Sequence, residues 1–470
     1  MFQYGLVHLA ILITAFYLFG FIYGIVAIVL FVMGMDKLLD LIGYTRMGYM
    51  DLGCAYEIKC NNNHIGGYME IEKIEYDEFK EVFIQKALTK IRKLRQILVQ
   101  RLGFFFWKDI HICDAMAQII KEDTVLGSPE EIVEYVCKIN DERLDRDKPI
   151  WEFRIIENYT ETSSLIIYKI HHAVLDGVGL GCLMSTLNDD QFVSKMNKRI
   201  EPLPLSESLR IAATTPMTLG KIMPEMKKWC TDEKAKKLSE INGTDHYANK
   251  FFATKEFEFK QIVKCYKQFP KMTFNDFLLA VISKSYDEWF KEHGVEDAKK
   301  IGFIIPVNMR NLPTSYDDLI IDNSIASAKF ELPISTDLDY VMKTIKPFIL
   351  KMTAPDILYS SLYLLKCIPY FPEVVNIQMF EDFTQGCDVS LSNISFSNVA
   401  WKIKGKEVKN ITFHNNLCLG ISMALMVYTY NGKVRLSLQT KKNQKMDASK
   451  LMDHIVTNLD DEIKKACKIE

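Results

Sequence analysis

Residues 163–172 read SSLIIYKIHH. Apolar and β-branched side chains in so short a run suit a strand. The AVLDGVGLG that follows cannot continue it, because Gly177, Gly179 and Gly181 break the pattern, and GLGCLMSTL beyond has helical character. The fold must therefore take a strand, a tight loop and a helix in immediate succession.

Side chains alternate faces along a strand. Counted back, His172 shares a face with Ile170, Tyr168 and Ile166, and His171 shares the other with Lys169, Ile167 and Leu165. The two histidines are expected to point in opposite directions, so only one can serve a given site. His172 is on the more apolar face, and a neutral imidazole there can accept a proton near physiological pH. Asp176, in the loop, can act as its carboxylate partner or pair with an arginine. Gly177 permits unusual backbone or close approach by a ligand.

A length of 470 residues suits two or three domains. A formal net charge of −2 provides no global basic field, so nucleic acid is not an expected partner. The 11 cysteines include no CxxC pair and read as reduced thiols; no Cys/His cluster has zinc spacing, and no metal is expected. Residues 1–35 carry no charged side chain. About 20 apolar residues span a bilayer, so this stretch is expected to be a single transmembrane anchor. Lys37 and Arg46 follow it and none precedes it, which puts the rest of the chain on the cytosolic side, in agreement with reduced thiols.

Further along, Phe79, Phe83, Ala87, Ile91, Leu94 and Leu98 recur at helical spacing, predicting one amphipathic helix with a basic face of Lys86, Lys90, Arg92, Lys93 and Arg95. Residues 201–250 carry four prolines and read as an interdomain connection with short helical pieces. Thr273 and Asp276 form a capping-box-like start for a helix that Gly294 ends. Residues 300–310, 388–398 and 419–440 read as strands, the last with Asn431-Gly432 as a hairpin turn, and Leu451, Ile455, Leu459 and Ile463 mark a final helix.

The pattern H-H-x-x-x-D-G over His171–Gly177 resembles the active-site motif of CoA-dependent acyltransferases. The longer context resembles the wax ester synthase/diacylglycerol acyltransferase family. LDRDKPIWEFRII (Leu144–Ile156) is similar to its Pro-Leu-Trp-Glu segment, NNHIGGYMEIE to its His-Ile-Gly-Gly region, MTFNDFLLA to its Asn-Asp motif and PVNMR to its Pro-Val-x-x-Arg segment. The segments come in the family's order. Two departures stand out. The family's Ser-Asn-Val-Pro-Gly-Pro segment is LSNISFSN here, and Asp322-Asn323 stands where Gly-Asn is usual.

The resemblance implies an α/β (α+β) fold of two chloramphenicol-acetyltransferase-like domains, with mixed sheets flanked by helices and an active-site tunnel between them. The expected division is an anchor at 1–35, a first domain at 36–200, a linker at 201–250 and a second domain at 251–460. It also implies transfer of a fatty acyl group from acyl-CoA to a lipid alcohol, fatty alcohol or diacylglycerol, with no cofactor besides the co-substrate. His172 is then the general base, and Asp176 completes the catalytic motif by holding the loop, with Arg310 as its partner. His171, Gly177, Trp151, Asn275, Asn308, Ser392 and Asn393 are the expected binding or supporting residues. Gly177 would give the thioester arm room, and Asn275 would line the site or cap its helix. Membrane lipid is an expected partner and the endoplasmic reticulum the expected membrane. The altered LSNISFSN leaves a second reading, a non-catalytic binding subunit of a membrane complex.

Overall fold

The structure of the chain, a computed structural model, describes residues 13, 14, 17, 20, 30–55, 63–101, 104–190, 203–230, 248–252, 255–296, 298–310, 321–370, 376–379, 387–417, 421–441 and 446–468. Two seven-stranded sheets carry the fold. The first runs, in spatial order, Lys402–Ile403, Lys406–Ile411, His64–Glu72, Ser163–His171, Trp151–Ile156 and Ile119–Lys121, with His414–Asn415 also pairing on His64–Glu72. The second runs Ile325–Pro333, Lys300–Asn308, Val389–Ser397, Met423–Tyr430, Lys433–Lys441 and Ala248–Phe252, with Phe257–Glu258 pairing on Lys433–Lys441. Both sheets mix parallel and antiparallel neighbours.

Ser163–His171 lies inside the first sheet, antiparallel to His64–Glu72 on one side and Trp151–Ile156 on the other. Every one of its residues is buried. Burial on both faces explains its continuous apolar run. Lys169 is the exception, and its ammonium is satisfied by the Ile139 and Glu142 carbonyls at 2.7 and 2.5 Å, around the end of the helix Pro129–Asp141. A cation at a helix C-terminus takes orphan carbonyls and complements the dipole.

The two halves share an arm. Residues 402–415, from the half expected to form the second domain, join the first sheet, with Ile411 opposite Met69 and His414 opposite Gly66. Gly66 and Gly67 let this arm approach: an added Cβ would lie 2.7 Å from His414 Nε2 and 2.2 Å from the Thr412 carbonyl respectively. Ile394, Phe396, Trp401 and Phe413 are buried in the same core as Phe79, Phe83, Trp151 and Phe153. A second core gathers Tyr286, Trp289, Phe290, Phe303 and Phe330.

Several local expectations differ from what forms. The single helix expected over 79–98 is instead a helix at Tyr76–Phe83, a π turn at Ile84–Leu88, a 3-10 turn at Arg92–Arg95 and a strand at Gln96–Arg101. Leu94 and Leu98 are buried as expected, but Leu94 from the 3-10 turn and Leu98 from a hairpin strand opposite Trp107. Between residues 201 and 250, one helix runs Leu205–Cys230 through Pro216 and Pro224, where short pieces were expected. The hydroxyls of Thr214 and Thr215 take the Arg210 and Ile211 carbonyls at 3.0 and 2.8 Å beside Pro216. Other local rules hold. Thr273 and Asp276 form a capping box, and Asn431 and Gly432 sit at φ +50° and +72° in the hairpin turn. The anchor expected over 1–35 lies mostly outside the described residues; 30–40 are helical with Leu30, Phe31, Met33 and Leu38 exposed. Among the described residues no helix is long and apolar enough to cross a membrane.

Candidate active site

The strand stops at His171, and His172 opens a turn closed by the Val174 N–H on the His171 carbonyl at 2.8 Å. Strand alternation therefore does not set the direction of His172; the turn does. His172 is 9% exposed. Its Nδ1 lies 2.9 Å from Asn323 Oδ1, in the second half of the chain, and 3.3 Å from Cys54 Sγ. The Asn323 amide nitrogen donates to the His172 carbonyl at 2.6 Å and to Asp51 Oδ1 at 2.8 Å. With that nitrogen committed to two acceptors, the amide oxygen faces the imidazole. Nδ1 then carries the proton and Nε2 the lone pair.

Burial lowers the His172 pKa, while the Asp176 charge, its own backbone carbonyl, Asn323 and Asp51 raise it. The balance stays below the ordinary value, so the imidazole is neutral at physiological pH. His171 sits in different surroundings. Its Nδ1 accepts from the Ala173 N–H at 3.1 Å, its ring meets the His64 ring edge-on with centroids 5.5 Å apart, and burial first, then Arg146 and His172, push its pKa down to about 3.

Asp176 caps the helix Gly177–Leu187, accepting from the Gly179 N–H at 2.8 Å. Arg310 Nη1 and Nη2 donate to its two oxygens at 2.7 and 2.6 Å, and the Ser324 N–H donates at 3.0 Å. Burial alone would raise this carboxyl; the guanidinium and the two N–H groups outweigh it and hold it below the usual carboxylate range. A two-pronged, fully desolvated pair of this kind fixes geometry. It ties the loop after His172 to the second half. Asn308 in turn orders Arg310, exchanging bonds with its N–H and carbonyl at 3.3 and 3.1 Å.

Other expected site residues lie elsewhere. Trp151 is fully buried, donates to the Leu94 carbonyl at 3.0 Å and packs on Phe83 and Phe153, which makes it a core residue. The space over Gly177 is filled: an added Cβ would lie 2.0 Å from Ile394 Cδ1, so the missing side chain admits Ile394. Asn275 does not cap its helix, since Thr273 does; it accepts from Asn393 Nδ2 at 2.7 Å, both side chains are exposed, and neither bonds to His172. Ser392 is half-buried on its strand opposite Met426. Asn323, Asp51 and Cys54 were not among the expected residues. Asn323 had a signal, the Asp-Asn where Gly-Asn is usual; no spacing connects residue 51 or 54 to position 172. Among the described residues no group of three or more His, Cys, Asp or Glu is placed to hold a metal.

The fold is that of a solved wax ester synthase/diacylglycerol acyltransferase from Marinobacter aquaeolei VT8, at TM-score 0.57 and 15% identity over 90% of this chain and 100% of that one. It is also that of the TRI3 trichothecene 15-O-acetyltransferase from Fusarium sporotrichioides, at TM-score 0.61 and 10% identity over 88% and 95%. In sequence the chain is 24% identical to the O-acyltransferase WSD of Acinetobacter baylyi, over 85% of this chain and 92% of that protein. The profile of the wax ester synthase/diacylglycerol acyltransferase catalytic domain matches residues 126–248, and that of the WS/DGAT C-terminal domain matches 323–463. The chain belongs to the wax ester synthase/diacylglycerol acyltransferase family. It is an acyl-CoA-dependent O-acyltransferase of that type.

Proposed function

We propose that this enzyme moves a fatty acyl group from acyl-CoA to the hydroxyl of a membrane-resident lipid alcohol, a fatty alcohol or diacylglycerol, with His172 as general base. The single observation that carries the reading is the Nδ1 contact of His172 with the oriented Asn323 amide at 2.9 Å, which leaves Nε2 with its lone pair in a neutral imidazole. The acceptor O–H gives its proton to Nε2 as the oxygen bonds to the thioester carbonyl carbon. The C–S bond then breaks, the imidazolium returns the proton to the leaving sulfur, and ester and free CoA thiol leave. Such base assistance contributes about 10²–10⁴-fold. Positioning two substrates in a tunnel between the halves provides the remainder. Asp176, Arg310 and Asn308 hold the loop that presents His172.

The uncharged residues 1–35 serve as a single-pass anchor in the endoplasmic reticulum, with the catalytic part cytosolic. This brings a lipid acceptor and soluble acyl-CoA to one surface. Full-length protein in detergent or nanodiscs, given labelled acyl-CoA and a panel of long-chain alcohols, diacylglycerol, soluble alcohols and amines, is expected to make neutral lipid ester. Turnover confined to amines or soluble alcohols would overturn the acceptor assignment. Release of the chain from membranes by alkaline carbonate would overturn the anchor.

A further inference from the structure

Asp51 lies on the helix Tyr49–Ala55 and is 5% exposed. Its two oxygens face different groups. Oδ2 is 2.5 Å from Lys93 Nζ and accepts from Trp107 Nε1 at 3.3 Å, and the same ammonium sits 5.3 Å from the Trp107 ring centroid. Oδ1 accepts from the Asn323 N–H at 3.2 Å and from Asn323 Nδ2 at 2.8 Å. A continuous path thus runs from half-buried Lys93 through buried Asp51 and Asn323 to His172 Nδ1.

We infer that Asp51 is a positioning residue for acyl transfer: its carboxylate, held by Lys93, fixes the Asn323 amide with its oxygen toward His172, and so keeps the His172 proton on Nδ1 and the lone pair on Nε2. The inference rests on the reading of His172 as the base. Its physical ground is that an ionised carboxylate only accepts hydrogen bonds, so it selects the NH₂ end of the facing amide. Turned over, Asn323 would set its oxygen against two acceptors, Asp51 Oδ1 and the His172 carbonyl. Its NH₂ would then meet Nδ1, which would have to give up its proton. The proton would move to Nε2, and the imidazole could not take one from the alcohol. Lys93 matters because its ammonium pairs with the other carboxylate oxygen and fixes the carboxylate's orientation. Asp51 also acts through its charge, which raises the proton affinity of His172.

The test uses full-length protein and separates positioning from folding. Asp51→Asn keeps the volume but can donate as well as accept, so the choice between the two amide orientations is lost. We expect kcat to fall about 10- to 100-fold, as for outer-shell partners of a reactive imidazole, with KM for acyl-CoA within about twofold. The acid limb of kcat/KM should move to lower pH, because a negative charge that favoured the imidazolium is gone. Asn323→Ala should also lower kcat, and on the pH plateau, where the Asp51 charge does not set the fraction of neutral imidazole, the double variant Asp51→Asn/Asn323→Ala should be no slower than Asn323→Ala alone, since in orienting the imidazole the two act in series. Lys93→Gln carries the test should Asp51→Asn lose its cooperative melt: a drop of roughly two- to fivefold in kcat, absent in the Asn323→Ala background. Additive effects, an unmoved acid limb, unchanged kcat or a rise in KM alone would each overturn the proposal. His172→Ala, run alongside, keeps the two readings apart. Wild-type-like turnover in it removes the base assignment, whereas an inactive His172→Ala with additive Asp51 effects removes only the role of Asp51.

Discussion

His171 and His172 are neighbours in sequence, both buried, and both with depressed proton affinity, yet they differ in what surrounds them. His171 is walled in by the sheet and by His64, and burial takes its pKa down to about 3. His172 has nearly the same burial but faces Asp176, Asn323 and Asp51, which oppose the loss. Burial by itself makes a histidine inert. A buried histidine stays a useful base only when acceptors and carboxylates restore part of its basicity.

The sharpest way to break this contrast is to remove each ring in turn. His172→Ala should lower kcat/KM by about 10²–10⁴-fold with little change in the unfolding midpoint, whereas His171→Gln should keep kcat/KM within about tenfold. Both are measured on the same preparations by steady-state assay and thermal melt. Equal losses for the two variants would erase the distinction. The Arg310 pair comes next. Arg310→Met leaves the Asp176 carboxylate buried and unpaired, which should cost about 3–5 kcal/mol of stability in denaturant unfolding. Activity should fall with it, since this pair ties the His172 loop to the second half. A midpoint within error of wild type would show that the pair is not what holds the loop.

These features were not equally legible in the sequence. The strand Ser163–His171, the capping box at Thr273 and Asp276 and the Asn431-Gly432 turn depend on local chemistry and could be read from the chain. The basic face over 86–95 could not. Leu98 satisfies helical spacing and hairpin pairing alike, and pairing with Phe104–Asp109 decided between them. Lys93, expected on the basic face of a helix, is half-buried against Asp51. Asn323 and Asp51 are separated by 272 residues, and only the joining of the two halves brings them together. Trp151 and Gly177 belong to recognisable motifs, yet their surroundings are packing. A motif marks which residues the fold needs, not which of them touch substrate.

Gly177→Ala sharpens that last point. Because Ile394 fills the space a Cβ would take, the variant should lose about 1–3 kcal/mol by overpacking. Ile394→Val removes the clashing methyl and should restore part of the stability. If Gly177 instead served the thioester arm, the variant would keep its stability and raise KM for acyl-CoA, and Ile394→Val would rescue nothing.

The smallest effect is a dependence on pH that the two histidines should divide between them. The unfolded chain binds a proton at position 171 below about pH 6.5. The folded chain does not until about pH 3. Between these values the unfolded state holds more protons, so stability falls as pH falls, by about 1.4 kcal/mol per pH unit from this residue alone. His171→Gln should flatten the slope of unfolding free energy between pH 6 and 5 by that amount. His172 has the same sign of shift, so His172→Gln should also flatten the slope below pH 6.5. The kinetic profile should separate the two in the other direction. The acid limb of kcat/KM should fall below pH 6.5 and belong to His172, and it should be unmoved by His171→Gln, since loss of activity follows protonation of the reacting imidazole and not of its neighbour. A limb that moves with His171 would mean that the two rings titrate as a coupled pair, and the division of labour between them would no longer stand.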